Sequence, residues 1–175
     1  YSVETWEEVA LRLAKQAGIY TATHSLVKVA GKPVVLSQRF DRNEQGRIPF
    51  MSAMSMTGSI DGEGGSYLDI VDALSEFGAQ AKNDRIELFR RMVFNVLISN
   101  VDDHLRNHGS LMLGSNGWAL SPAYDLNPTP QDLKPRILTT NIDFDGGTCS
   151  IELVREVASF FGLNKASADH IISEV

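Results

Sequence analysis

The sequence predicts an α+β domain, mainly α, carrying two β-hairpins. Three observations point there. Apolar residues recur at helical spacing in several segments, among them "ELFRRMVFNVLIS" and "SIELVREVASFFGL". Two pairs of β-rich runs flank glycine-bearing turns, "SLVKVAGKPVVLSQRF" and "SLMLGSNGWALS". The 175 residues are 43% hydrophobic and 22% charged, enough for one domain with a real core.

Taken in order, Thr5-Trp6-Glu7-Glu8 fits a capping box that opens a helix. Val9, Leu13 and Ala17 mark its apolar spacing, and Gly18 stops it. The first hairpin turns at Ala30-Gly31-Lys32-Pro33. From Asp41 to Gly65 the chain is polar, glycine-rich and without period, a long loop with short structure around "SAMSM". Ser66 precedes a helix with Tyr67, Ile70, Val71, Leu74 and Phe77 on one face, closed by Gly78. Asp84 is placed to cap the next helix, whose apolar set is Leu88, Phe89, Met92, Val93, Val96 and Leu97. The second hairpin turns at "GSNG", where Asn and Gly supply positive backbone angles. "SPAYDLNPTP" is a proline-punctuated loop, "SIELVREVASFFGL" an amphipathic helix closed by Gly162, and "ADHIISEV" a last helix.

Composition narrows function. A net charge of −6 and a pI near 5.2 argue against a broad basic face for nucleic acid. No apolar run reaches the length of a membrane span, and a cytoplasmic, soluble protein is expected. The single Cys149 excludes an internal disulfide and a cysteine zinc site. The chain begins at Tyr1 and enters a helix at once, which reads as a piece of a longer polypeptide.

The chemistry concentrates in "NVLISNVDDHLRNHGSLML". Asp102 and Asn107 stand in a D-x-x-x-x-N spacing, and a hairpin then returns the chain to Asp125. One carboxylate and one amide beside a further free carboxylate suit a nucleotide-borne Mg²⁺, a hard ion that takes few protein oxygens. The free carboxylate suits a base that orients a hydroxyl for in-line attack on a γ-phosphate. The order matches that of a protein-kinase catalytic loop and its second metal-binding Asp, without an Asp-Phe-Gly and without His-Arg ahead of Asp102. Alone, Asp and Asn after a helix are usually turn formers. A metal phosphohydrolase built on Asp102, Asp103, His104 and His108 would need further His or Asp on other helices, and His24 and His170 do not supply them.

"RFDR", "SYLDIVDAL", "LFRRMVFNVLISNVDDHLRNHGSLM", "GWALSPAYDLNP" and "DGGTCSIELVREVASFFGL" resemble the C-terminal lobe of HipA-type serine/threonine kinases, toxins of bacterial toxin–antitoxin pairs. The resemblance covers nearly the whole chain. It implies a helix, hairpin and hinge over residues 1–41 and a helical catalytic lobe over 42–175. It implies ATP and Mg²⁺ as cofactors, Asp102 as catalytic aspartate, Asn107 and Asp125 as metal ligands, and an orienting role for His104. Asp103 has a spacing of four to Asn107, and the resemblance selects Asp102 over it. Gln38-Arg39-Phe40-Asp41 matches the hinge, with backbone groups of Gln38 and Phe40 on adenine and Asp41 in the nucleotide-binding set; relatives often have Glu at Gln38. Glu7 lies on the helix matching the kinase C-helix. The family's nucleotide-covering loop, phosphate-binding lysine and regulatory serine precede this helix, and neither Lys15 nor Lys28 stands in for that lysine. An ATP-covering subdomain is thus absent from these residues, and weak nucleotide binding with little turnover is expected of them alone. The implied partners are a protein substrate of the aminoacyl-tRNA synthetase class and a HipB-like DNA-binding antitoxin. The competing reading is a non-catalytic lobe that docks an antitoxin or needs a separate N-terminal subunit.

Other residues have plainer readings. His24 is taken as a surface residue, His108 as a loop hydrogen-bonder, and Arg90 and Arg91 as the solvated face of their helix. Met51, Met54 and Met56 are core filling or a mobile segment. Phe160 and Phe161 are core, and Cys149 is a small structural hydrophobe.

Overall fold

The computed structural model describes residues 2–130 and 132–175. Its elements run α1 (Val3–Gln16), β1 (His24–Val29), β2 (Lys32–Ser37), β3 (Arg42–Asn43), β4 (Gly46–Arg47), β5 (Phe50–Ser52), α2 (Ala53–Thr57), α3 (Tyr67–Phe77), α4 (Ala81–Ile98), β6 (Gly109–Met112), β7 (Trp118–Leu120), α5 (Ile151–Val157) and α6 (Lys165–Glu174), with single 3₁₀ turns at Leu105–Asn107 and Ala158–Phe161. The mixed architecture matches the expectation: mostly helix, with small antiparallel sheets.

The first hairpin pairs β1 with β2 from His24 opposite Ser37 to Val29 opposite Lys32. Its turn is the two residues Ala30 (φ +50°) and Gly31 (φ +80°), a left-handed pair that matches strand twist. The second hairpin is part of a larger sheet in the order β5-β6-β7. β5 comes from the segment read as loop, because three residues are too few to show a period of two. Gly109 faces the Phe50 ring so closely that a Cβ there would lie 2.3 Å from it. In the β6–β7 turn the positive angles belong to Gly114 and Gly117, and Asn116 has none.

α4 is the central helix. Leu88, Phe89, Met92, Val93 and Val96 are buried against Tyr67, Ile70, Val71 and Leu74 of α3, and against Val154, Phe161 and Ile171 on the other side. A smaller cluster joins Ala10, Leu11 and Ala14 of α1 to Phe94, Ala123 and Leu126.

Several local expectations are corrected. α1 begins at Val3 after Ser2, so Thr5 is inside the helix and bonds the Ser2 hydroxyl instead of capping. Its buried face is Glu8, Ala10, Leu11 and Ala14, while Val9 and Leu13 are exposed. Alanines are apolar enough to form the seam, and their small size lets α1 approach closely. Asp84 sits within the first turn of α4, where its Oδ2 accepts from the Leu120 amide of β7 at 3.1 Å. Arg91 is buried, donating to Glu87 at 2.8 Å and to the Ser121 carbonyl at 2.9 Å. His24 is mostly covered, its Nδ1–H donating to the Ala22 carbonyl at 2.8 Å. Phe160, Phe77 and Leu97 are exposed. Ser66 precedes α3 as expected, and caps it in a reciprocal box with Asp69 that the sequence reading did not name; Gly18, Gly58 and Gly162 follow helix ends with positive φ.

Candidate active site

α4 ends at Ser99, in the left-handed region at φ +56°. Arg136 binds this end, donating to the Val96 carbonyl at 2.8 Å and to the Ser99 hydroxyl at 2.9 Å, which neutralises a helix C-terminus. The chain then enters the polar loop. Asp103 is 1% exposed, receives the Tyr67 hydroxyl, and has His108 Nε2 3.0 Å from its other oxygen. Asn95 donates to the Tyr67 oxygen at 3.0 Å, and Asn100 to Asn95 at 3.2 Å. Burial and the Asp103 charge push the Tyr67 hydroxyl well above its ordinary range. Asp103 is thus sealed into a buried network, whereas Asp102 is exposed and lines a cavity of about 370 Å³ with His104, Arg106 and Thr140. Asn107 donates its amide to the Asp102 carbonyl at 3.3 Å, which commits the nitrogen and leaves the side-chain oxygen as the donor for a cation.

Asp125 reaches the site by a different route. The Ala22 amide donates to the Ala123 carbonyl at 3.0 Å, and the Ala123 amide to the Tyr20 carbonyl at 2.8 Å. This strap lays Tyr124 and Asp125 beside α1 and the first hairpin. A second cavity, about 530 Å³, is lined there by Glu7, Gln38, Phe40, Asp41, Tyr124 and Asp125. Phe40, Phe50 and Tyr124 form an aromatic trio, with centroids 6.1 Å apart for Phe40–Phe50 and 5.6 Å for Phe40–Tyr124. The Tyr124 hydroxyl, pushed up to about 12 by burial, donates to the Arg106 carbonyl at 2.7 Å and ties this aromatic cluster to the loop that carries Asp102 and Asn107. The Gln38 amide is used by the Thr23 carbonyl at 2.8 Å, while among the described residues its own carbonyl and the Phe40 amide have no hydrogen-bond partner. Asp41 accepts two bonds from Arg39, which lower its pKa.

The structure therefore gathers Glu7, Gln38, Phe40, Asp41 and Asp125 in one cavity, and Asp102 and His104 in another, with Asn107 tied to Asp102. The Glu7 carboxyl is raised by burial and then by the Asp125 charge. Asp125 holds φ +56°, unusual for a residue with a Cβ, and is braced by the Asn127 amide at 2.6 Å. Among the described residues the buried Asn127 side-chain oxygen has no hydrogen-bond partner.

Asn107 and Asp125 carry the donor types that a nucleotide-borne Mg²⁺ would take. Among the described residues no three His, Cys, Asp or Glu side chains converge as a metal cage. An amide oxygen and a carboxylate are the sparse oxygen set such an ion takes, the rest coming from phosphates and water. Sequence reasoning missed Phe50, Tyr124, Asn127 and Arg136. The signal for Tyr124 was its place next to Asp125; nothing local marks Phe50 or Arg136.

The same fold is found in known structures. The chain superposes with a TM-score of 0.84 on a chain of the Shewanella oneidensis MR-1 complex of HipA, HipB and operator DNA, at 20% identity over 98% of this chain and 46% of that one. It superposes with a TM-score of 0.67 on the Helicobacter pylori proinflammatory kinase CtkA, at 14% identity over 100% of this chain and 84% of that one. In sequence it is 27% identical over 161 residues to the Sinorhizobium fredii (strain NBRC 101917 / NGR234) protein named "Putative kinase Y4mE", covering 80% of this chain and 38% of that protein. A Haemophilus influenzae protein named "Putative kinase" is 24% identical over 151 residues, covering 75% and 44%. The chain thus spans less than half the length of these two relatives. The model of the HipA-like C-terminal domain matches residues 1–175, and the chain belongs to that family.

Proposed function

We propose that this chain is the catalytic lobe of a Mg·ATP-dependent serine/threonine protein kinase. The observation that carries the reading is the hinge cavity. It combines an unpaired Gln38 carbonyl and Phe40 amide, an aromatic cluster, and Asp125. An adenine edge needs one acceptor and one donor from backbone, and its faces need apolar walls. Asp41 lines the same cavity.

In this reading Asn107 and Asp125 hold the cation, which would neutralise charge on the transferring phosphoryl group. Asp102 accepts the proton of the acceptor hydroxyl, and His104 lines the same cavity to orient that acceptor. Asp103 keeps the loop rigid from below through Tyr67 and His108. Glu7 belongs to the nucleotide side, facing Asp125. Residues 1–41 then form helix, hairpin and hinge, and 42–175 the catalytic lobe. Family membership and the likeness to a HipA–HipB–DNA complex support a DNA-binding antitoxin of HipB type as partner. A protein of the aminoacyl-tRNA synthetase class is the proposed substrate, and the cytoplasm the proposed compartment. No helix among the described residues is long and apolar enough to cross a membrane.

The test is phosphoryl transfer by the full-length protein carrying Asp102→Ala or Asp125→Ala. Loss of the base should lower kcat about 10²–10⁴-fold, and loss of the metal ligand should lower it at least comparably. Circular dichroism and melting temperature should stay near wild type. Undiminished phosphorylation by either variant would refute the assignment and favour a non-catalytic docking lobe.

A further inference from the structure

Asp103 and Asp125 lie at the two ends of one line of hydrogen bonds. The Tyr67 hydroxyl donates to Asp103. The Asn95 side-chain amide donates to the Tyr67 oxygen at 3.0 Å, and the Asn100 side-chain amide to the Asn95 oxygen at 3.2 Å. The Asn100 side-chain oxygen in turn accepts from the Asn127 backbone amide at 3.3 Å, and the Asn127 side-chain amide donates to Asp125 at 2.6 Å. Tyr67 and Asn100 are 0% exposed, Asn95 and Asp103 1%.

The line has a direction. From the Asn127 backbone amide to Asp103 every group donates toward the Asp103 carboxylate, so successive dipoles reinforce one another. The Asn100 amide can sit only one way. Turned over, it would set its NH₂ against the Asn127 backbone amide and its oxygen against that of Asn95. Buried amides and hydroxyls cost stability unless every partner is met, and apolar side chains would fill the same space without that demand. Tyr67, Asn95 and Asn100 thus specify an alignment and not merely a packed volume. What they align is the site. Asn107 stands four residues after Asp103 in the loop that Asp103 anchors, and Asn127 braces Asp125. The Thr129 amide also donates to the Ser99 carbonyl at 3.0 Å, laying the strap that carries Asp125 along the end of α4.

We propose that Tyr67, Asn95 and Asn100 are positioning residues that tie the loop of Asp102 and Asn107 to Asp125, holding the two halves of the site in register. The inference rests on the kinase reading. The three side chains are buried away from nucleotide, cation and acceptor, and act only through the residues they hold.

The experiment uses the full-length protein as wild type, Tyr67→Phe, Asn100→Ala and the double variant. Tyr67→Phe removes one oxygen and keeps the ring, and Asn100→Ala opens the line at its middle. Two quantities are read. One is kcat for transfer from Mg·ATP to a degenerate serine/threonine peptide library. The other is Mn²⁺ affinity in the presence of a non-hydrolysable ATP analogue, by electron paramagnetic resonance. Each single variant should lower both about 10–100-fold, as loss of an outer partner of a metal ligand does. The double variant should match the worse single within about twofold, whereas independent lesions would multiply. Binding of the analogue without a divalent cation should be unchanged, which a general loss of folding would not allow. Multiplying losses in the double variant would overturn the proposal, as would wild-type Mn²⁺ affinity in Tyr67→Phe or an equal loss of cation-free binding. Should Asn100→Ala not fold, the Mn²⁺ affinity of Tyr67→Phe decides alone. Asp102→Ala separates the two claims. Full transfer by that variant defeats the kinase reading and the tie with it, whereas abolished transfer beside multiplying losses defeats the tie only.

Discussion

Asp102 and Asp103 are adjacent and chemically identical, and the fold treats them oppositely. Asp103 turns inward to Tyr67 and His108, and Asp102 faces an open cavity. That choice is set by Tyr67, which lies far away in sequence at the start of α3. Glu7 shows the same dependence on distant neighbours. Its carboxyl is raised by burial, by Asp125, and in smaller part by Glu4 and Glu8, with His24 opposing. A raised carboxyl binds its proton more tightly in the folded chain than in the unfolded one. This contribution to stability is complete below the ordinary glutamate range and is lost as pH rises through the raised value. Glu7→Gln should therefore gain stability relative to wild type as the pH rises above the ordinary glutamate range. Urea denaturation across that range checks this, and a difference independent of pH would count against it.

At the scale of elements, the helices were legible in outline because amphipathic periodicity survives local noise. Their faces and ends were less so. The α1 face was misread because Ala10 and Ala14 make the seam while the larger Val9 and Leu13 point outward. Asp84 was read as a cap because it stands near a helix start, yet it satisfies the Leu120 amide of β7. That bond ties the second hairpin to α4. Asp84→Ala should leave the amide unpaired and cost about 1–3 kcal/mol in chemical denaturation. Asp84→Asn, which keeps an acceptor oxygen and relieves the burial that raises this carboxyl, should cost less. Equal losses would mean that the bond is not what stabilises the junction.

On the scale of the whole molecule, α4 separates two apolar clusters, one shared with α3 and the C-terminal helices, one with α1. Phe160 and Phe161 are neighbours that pattern alone treats alike. Phe161 is 1% exposed and packs edge-on against Phe89 with centroids 5.3 Å apart, while Phe160 is 52% exposed. Phe161→Ala should cost about 3–5 kcal/mol, and Phe160→Ala less than about 1 kcal/mol. Guanidinium titration of the two variants gives the comparison, and similar costs would contradict this packing. The strap from Tyr20–Ala22 to Ala123 acts at the same scale, carrying Asp125 to the cavity it shares with Gln38 and Phe40.

What the sequence determined by itself was the set of helices in outline, the two hairpins, and the positions of Asp102, Asn107 and Asp125 on either side of the second of them in the chain. Those follow from short-range periodicity and turn chemistry, which depend on residues a few positions apart. Only the tertiary structure decided which aspartate is sealed, that Phe50 and Tyr124 join Phe40 in lining the cavity around Gln38 and Asp125, and that Thr140 lines the Asp102 cavity. Each of these depends on contacts between segments distant in the chain. Burial and hydrogen bonding there are set by packing, and no local pattern encodes them.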